Sequence, residues 1–114
     1  MADGSSETDA VAIYSTYPDV ETAEAIGAGL VEEGLAACVN ILPAMRSIYR
    51  WQGAIEADDE VVAIVKSQRG RADEIVAAIE KRHPYDTPAI VVFPIVAGSR
   101  RYLDWIVAET VPAT

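Results

Sequence analysis

The chain has one cysteine and one histidine in 114 residues, and only 9 basic side chains against 18 acidic ones. Each shortage excludes something. A lone Cys38 forbids an internal disulfide, which fits a reducing compartment and predicts a cytoplasmic protein. A lone His83 forbids the multi-imidazole clusters of zinc and copper centres. It also leaves no nucleophile, base and orienting group in sequence, so an enzyme is not expected. A net charge of −9 repels phosphate backbones and excludes nucleic acid as a partner, while drawing cations to the surface. No apolar run approaches the ~20 residues that a membrane helix needs. The opening MADGSSETDA has neither a basic region nor an apolar stretch, so it does not read as a signal peptide. Residues 1–9 read as a short disordered acidic tail. What is present is apolar material: 51% of residues are hydrophobic, enough for one packed domain over residues 10–112.

The longest organised stretch runs from Ala36 to Ser67 and reads as one β-hairpin. Val39 and Ile41 alternate with Cys38, Asn40 and Leu42. Ile48, Tyr49 and Trp51 favour a pleated surface. Gln52-Gly53 marks the reversal, because glycine tolerates the positive φ of a tight turn. Pro43 has no backbone donor and belongs at an edge or a bulge. Ala36 to Tyr49, fully extended, would span roughly 45 Å. A domain of this size has a radius of gyration of only about 13 Å. The hairpin must therefore bend sharply or overhang the body. An overhang bearing Ile48, Tyr49 and Trp51 exposes apolar surface and unpaired edges. Another copy of the chain would cover them, which predicts an obligate oligomer with Tyr49, Arg50 and Trp51 as interface residues.

The remaining segments fall in order around this hairpin. Ala10–Thr16 and Ala89–Val96 are short apolar runs that read as buried strands. Asp19 is a candidate N-cap for a helix over 20–33, with Ala23, Ile26, Gly27 and Leu30 on its apolar face and Gly34 as its C-cap. A second helix over 71–82 buries Ala72, Ile75, Val76 and Ile79. His83-Pro84 to Pro88 is a rigid turn. Ser99 opens a last helix through Tyr102, Leu103, Ile106 and Val107. The order β-α-β-β-α-β plus a helix is the split β-α-β, ferredoxin-like, α+β arrangement. Both main helices then lie on one sheet face, and the other face lacks full cover.

Four sets of residues are candidates for chemistry. His83, at the junction of a helix and a proline-rich turn, suits either a metal ligand or a helix-end cap. Cys38 is either a soft copper ligand or a small buried hydrophobe. The acidic run Glu56, Asp58, Asp59 and Glu60 lacks the glycine and spacing of a calcium loop and reads as a solvated bend. Arg69 with Arg71, and Arg100 with Arg101, stand near helix starts, where an anion or a neighbouring acid would meet them.

The segments Ala36-Ala37-Cys38-Val39-Asn40-Ile41, Ser47-Ile48-Tyr49-Arg50-Trp51-Gln52-Gly53 with Ile55-Glu56, His83-Pro84-Tyr85 before Pro88, and Tyr102-Leu103 with Trp105-Ile106 resemble the CutA family of divalent-cation-tolerance proteins over about residues 10–109. The resemblance implies a ferredoxin-like subunit, a homotrimer joined by its long hairpins, and an association with tolerance of copper and other divalent cations. It implies no established enzymatic activity. The trimer is similar in architecture to the PII signalling proteins, which raises an alternative: an adaptor that holds a small anionic ligand between subunits. Some members carry a cysteine where this chain has Ser15, two histidines where it has Arg82 and His83, and lysine where it has Ala54. Only His83 of that copper set is carried over. The expectation is therefore weak Cu²⁺ binding at His83, with Tyr85 and Asp86 as oxygen donors, and no required cofactor.

Overall fold

The structure, a computed structural model, describes residues 8–112. Residues 1–7 of the expected tail lie outside the described residues. Thr8 and Asp9 are tied in: the Thr8 N–H donates to the Ile95 carbonyl at 3.1 Å, and the Asp9 carbonyl accepts from the Arg69 N–H at 2.7 Å.

Strand β1 (Ala10–Tyr17) is followed by helix α1 (Val20–Glu32), then β2 (Cys38–Trp51) and β3 (Ala54–Gln68). A 3-10 turn (Arg69–Arg71) leads into α2 (Ala72–Arg82), and β4 (Ile90–Pro94) and α3 (Arg100–Ala108) complete the fold. The four strands form one antiparallel sheet in the order β2-β3-β1-β4. This is the ferredoxin-like order that the element sequence predicts.

Local chemistry sets the element ends. The Asp19 carboxylate accepts from the Thr22 N–H at 2.7 Å and starts α1. At the other end Gly34 has φ of 75°. Its N–H bonds the Val31 carbonyl, and the Leu35 N–H reaches back to Leu30, closing the helix in a Schellman motif. Gly27 has a different task. A Cβ there would stand 3.1 Å from Val39 Cγ1, so its absence lets α1 lie directly on β2.

Alternation along the strands separates the two sheet faces. Val11, Ile13, Val61, Ala63 and Val65 point toward α1 and α2, where they meet Ile26, Leu30, Ile75 and Ile79 in the main core. Val39 and Ile41 pack against the same core, on the side expected of them. On the opposite face α3 covers one end only, burying Leu103 and Ile106 over Ala10.

Strand β4 departs from expectation. It is shorter than Ala89–Val96, and Val91, Val92 and Phe93 are exposed. An apolar run signals burial, but β4 is an edge strand bonded only to β1, and Pro94, with no N–H to give, ends it.

The hairpin overhangs. Strand β1 pairs with β3 only from Val61 onward, so residues 54–60 are bonded to β2 alone. The register between β2 and β3 slips between Leu42 and Met45, which places a bulge at Pro43-Ala44. Gln52 and Gly53 both take positive φ, 50° and 85°, as a two-residue type I′ turn requires. The arm stretches the molecule to 45 × 32 × 22 Å, with a radius of gyration of 15.1 Å.

Candidate functional site

Two places gather polar side chains: a node around His83 and a groove beside it on the sheet's open face. His83 directly follows α2, and its N–H caps the Ile79 carbonyl at 2.8 Å. The ring does not turn to its own helix. It is buried against β1, where Nε2 lies 2.7 Å from the Thr16 carbonyl, and Nδ1 accepts the Tyr85 N–H at 3.1 Å. Since Nδ1 accepts, Nε2 carries the proton and donates to Thr16. The ring stacks on Tyr17 at 4.7 Å and 19° and also meets Tyr85 at 4.7 Å. Both ring nitrogens are thus engaged, and a metal ion would have to replace one of these bonds. Tyr17 is itself buried, which raises its phenol pKa, and it accepts a hydrogen bond from Ser15 Oγ at 2.9 Å.

Of the positions that the resemblance links to copper, Ser15 and His83 both touch Tyr17, while Arg82 turns away. Ser15 is fully buried on the helix-bearing face with Tyr17. Arg82 points outward to Glu33, at 2.8 Å. Among the described residues, no group of three or more His, Cys, Asp or Glu side chains is placed to hold a metal ion.

The groove has a volume of about 750 Å³ and lies between the hairpin arm and the loop after His83. Tyr14 and Thr16 of β1 form its floor, Tyr49 and Trp51 of β2 one wall, and Tyr85 and Asp86 the other. Every charged residue lining it is an acid: Asp58, Asp59, Glu60 and Asp86. The acidic run is solvated, as expected, but it lies in a paired strand and not in a bend, since the ladder to β2 runs through it from Glu56 to Glu60. Asp59 pairs with Arg46 at 2.9 Å. Asp58 accepts a hydrogen bond from the Tyr49 phenol, which pushes the Tyr49 pKa up to about 12. Tyr85 also has a raised pKa, first from burial and then from Glu60, whose carboxylate its phenol approaches at 3.4 Å.

The other candidates have plain settings. Cys38 is a free thiol, partly exposed, 3.5 Å from the Tyr102 hydroxyl. Lys66, its cross-strand partner, donates to Asn40 at 2.6 Å and to Tyr102 at 3.1 Å. Arg71 pairs with Glu74 at 3.0 Å, and Arg69 donates to the Thr8 carbonyl at 2.7 Å. Sequence reasoning missed the groove. Its signal was the even spacing of Asp58 and Glu60 on one strand and of Ser47 and Tyr49 on the other, which the ladder, with Ser47 directly opposite Asp58, brings to one face.

Residues 11–109 match the family model described as CutA1 divalent ion tolerance protein. The chain belongs to the CutA1 divalent ion tolerance family. Its similarity to a divalent-cation tolerance protein CutA from Thermus thermophilus is 45% identity over 98 residues, covering 86% of this chain and 95% of that protein. The crystal structure of CutA1 from Oryza sativa superposes with a TM-score of 0.88 at 30% identity, covering 95% of this chain and 99% of the other. A periplasmic divalent cation tolerance protein CutA from Archaeoglobus fulgidus gives 0.85 at 40% identity, over 89% and 98% of the two chains. The fold of this chain is thus shared with bacterial, plant and archaeal relatives. Among the described residues no helix is long and apolar enough to cross a membrane.

Proposed function

We propose that this CutA1-family chain works as a homotrimeric binding protein in divalent-cation tolerance, in the cytoplasm, and not as an enzyme. One observation carries the assembly: the hairpin arm overhangs the body with Ile48, Tyr49, Trp51 and Ile55 open to solvent. An exposed apolar ribbon with free edges is an aggregation hazard unless neighbours cover it. Tyr49, Arg50 and Trp51 at its tip are of the residue types that anchor interfaces. The free thiol of Cys38 supports a reducing compartment.

Copper enters this reading as a weak, exchangeable ligand of His83 and not as a resident cofactor. One imidazole with both nitrogens already bonded is a poor basis for a closed centre. An anionic ligand held between subunits has no support in the groove, where all the charges are negative.

Light scattering at micromolar concentration tests the assembly. The expected mass is three times the 12.2 kDa of the chain, falling toward the single-chain value in Trp51→Ala. A monomer, or a trimer indifferent to Trp51→Ala, rejects the arm as the joint. Electron paramagnetic resonance with added Cu²⁺ tests the metal reading: nitrogen coupling should be present and should vanish in His83→Ala.

A further inference from the structure

We infer that Met45 is a redox-sensitive joint at the root of the hairpin arm: oxidation of its thioether to the sulfoxide by a hydroperoxide locks the arm to the body through Tyr14. The position comes first. The last rung between β1 and β3 sets Tyr17 opposite Val61. The next rung out sets Met45 opposite Glu60, with no β1 beside it. The bulge at Pro43-Ala44 lies immediately before Met45, and a bulge is where a strand bends. Met45 therefore stands where the four-stranded body gives way to the two-stranded arm.

A side-chain bond crosses this joint. Tyr14 is fixed within the body, paired with Ile64 on one side and Val91 on the other. Its phenol reaches over β3 and donates to Met45 Sδ at 3.6 Å. A thioether sulfur is a weak acceptor, so the present tie is loose. Oxidation turns that apolar side chain into a polar one with an oxygen acceptor. An O–H···O bond of about 2.7 Å, bent at the new oxygen, spans much the same separation between sulfur and phenol. The oxygen thus fits between the two groups without moving the strands, and the tie strengthens.

The step balances with hydrogen peroxide as the co-reactant. A sulfur lone pair attacks the peroxide, the O–O bond breaks, one oxygen stays on sulfur and the other leaves as water. Sulfur loses two electrons and the peroxide gains them, and methionine sulfoxide reductases reverse the change. Met45 is only partly buried, so a molecule as small as hydrogen peroxide reaches it. Ile48, Tyr49, Trp51 and Ile55, the residues that the proposed assembly covers, lie farther out toward the tip. The inference does not rest on that assembly, since the sulfur and the phenol belong to one chain.

Treatment of the full chain with hydrogen peroxide tests the joint, read by peptide mass mapping and by amide hydrogen exchange. The only other methionine is Met1, so mapping locates the added oxygen. The expected result is one oxygen on Met45, with exchange over residues 45–50 and 55–60 slowed about threefold or more, the scale of one strengthened hydrogen bond. Tyr14→Phe should still take up the oxygen but lose the slowing. Met45→Leu, of similar volume, should show neither. Unfolding midpoints confirm that each variant is folded. Four results overturn the proposal: Met45 left intact while Met1 is oxidised, exchange in the arm unchanged or faster after Met45 is oxidised, equal slowing in Tyr14→Phe, or slowing that persists in Met45→Leu, which would assign the response to Cys38.

Discussion

On the helix-bearing side of the sheet Ile13, Ile75 and Ile79 are entirely buried, whereas on the arm Ile48 is 74% exposed and Ile55 69% exposed. The residue type is the same and the surroundings are opposite. The first group is explained by the chain's own fold: α1 and α2 cover it, and each isoleucine removes its side chain from water. The second group is not explained by the chain alone. A sheet that buries its apolar residues on one side and displays them on an extension is built for contact beyond itself. The difference teaches that hydrophobicity on the covered side serves folding, and that on the arm it is free to serve the assembly proposed above.

The largest expected effect sharpens that division. Ile75→Ala should lower folding stability by about 3 kcal/mol, within the range for deleting a buried isoleucine, whatever the protein concentration. Ile48→Ala should leave the folding of the chain within about 0.5 kcal/mol of its starting value. Any loss in midpoint should then shrink as protein concentration rises, because it reports assembly. Urea unfolding at two protein concentrations distinguishes them. Equal, concentration-independent losses would break the comparison.

A smaller effect probes how closely the covered side is packed. Gly27→Ala would bring a Cβ to 3.1 Å from Val39 Cγ1. The expected cost is about 1 kcal/mol, overpacking set against the better helix propensity of alanine. In a Val39→Ala background the methyl has room, and the same substitution should become stabilising. A cost unchanged by Val39→Ala would show that the close approach of α1 to β2 is not the cause.

The smallest effect lies on the open side and is read by pH. Tyr49 holds its proton up to about 12, chiefly through its hydrogen bond to Asp58. Above the ordinary tyrosine value near 10 the unfolded chain loses that proton while the folded chain keeps it. The folded state then binds more protons, so stability should fall as pH rises through this window. Phenolate absorbance should show Tyr49 titrating late beside the other raised phenols, Tyr17 and Tyr85, and Asp58→Asn should return the Tyr49 component alone toward the ordinary range. A late titration untouched by Asp58→Asn would place the effect on another phenol.

Much of this division was legible in the residues. The alternation of Val39 and Ile41 with Cys38, Asn40 and Leu42 assigned the two faces of β2, and the Gln52-Gly53 pair located the reversal. Asp19 and Gly34 marked the ends of α1 because capping is local chemistry. The length of the hairpin, measured against the size of the domain, announced the overhang. What was not legible depended on neighbours far apart in the chain. The run AIVVFPIV looked like a buried strand, yet its position at the sheet edge leaves it open. His83 was recognised as a helix-end residue, but its bond to Thr16 spans 67 positions and has no sequence signature. The groove joins β1, the hairpin and the loop after α2, and only the register of two ladders brings them together.

The overhanging arm also has a genetic consequence. A chain damaged at Ile75 tends to unfold and be cleared, and normal chains assemble without it. A chain altered at Ile48, Trp51 or Ile55 still folds, because those side chains contribute little to its own core. In the proposed trimer it would survive to enter mixed assemblies with normal copies and weaken each one it joined. In a cell carrying both gene copies, lesions in the body should therefore be recessive, and lesions at the arm tip should be dominant.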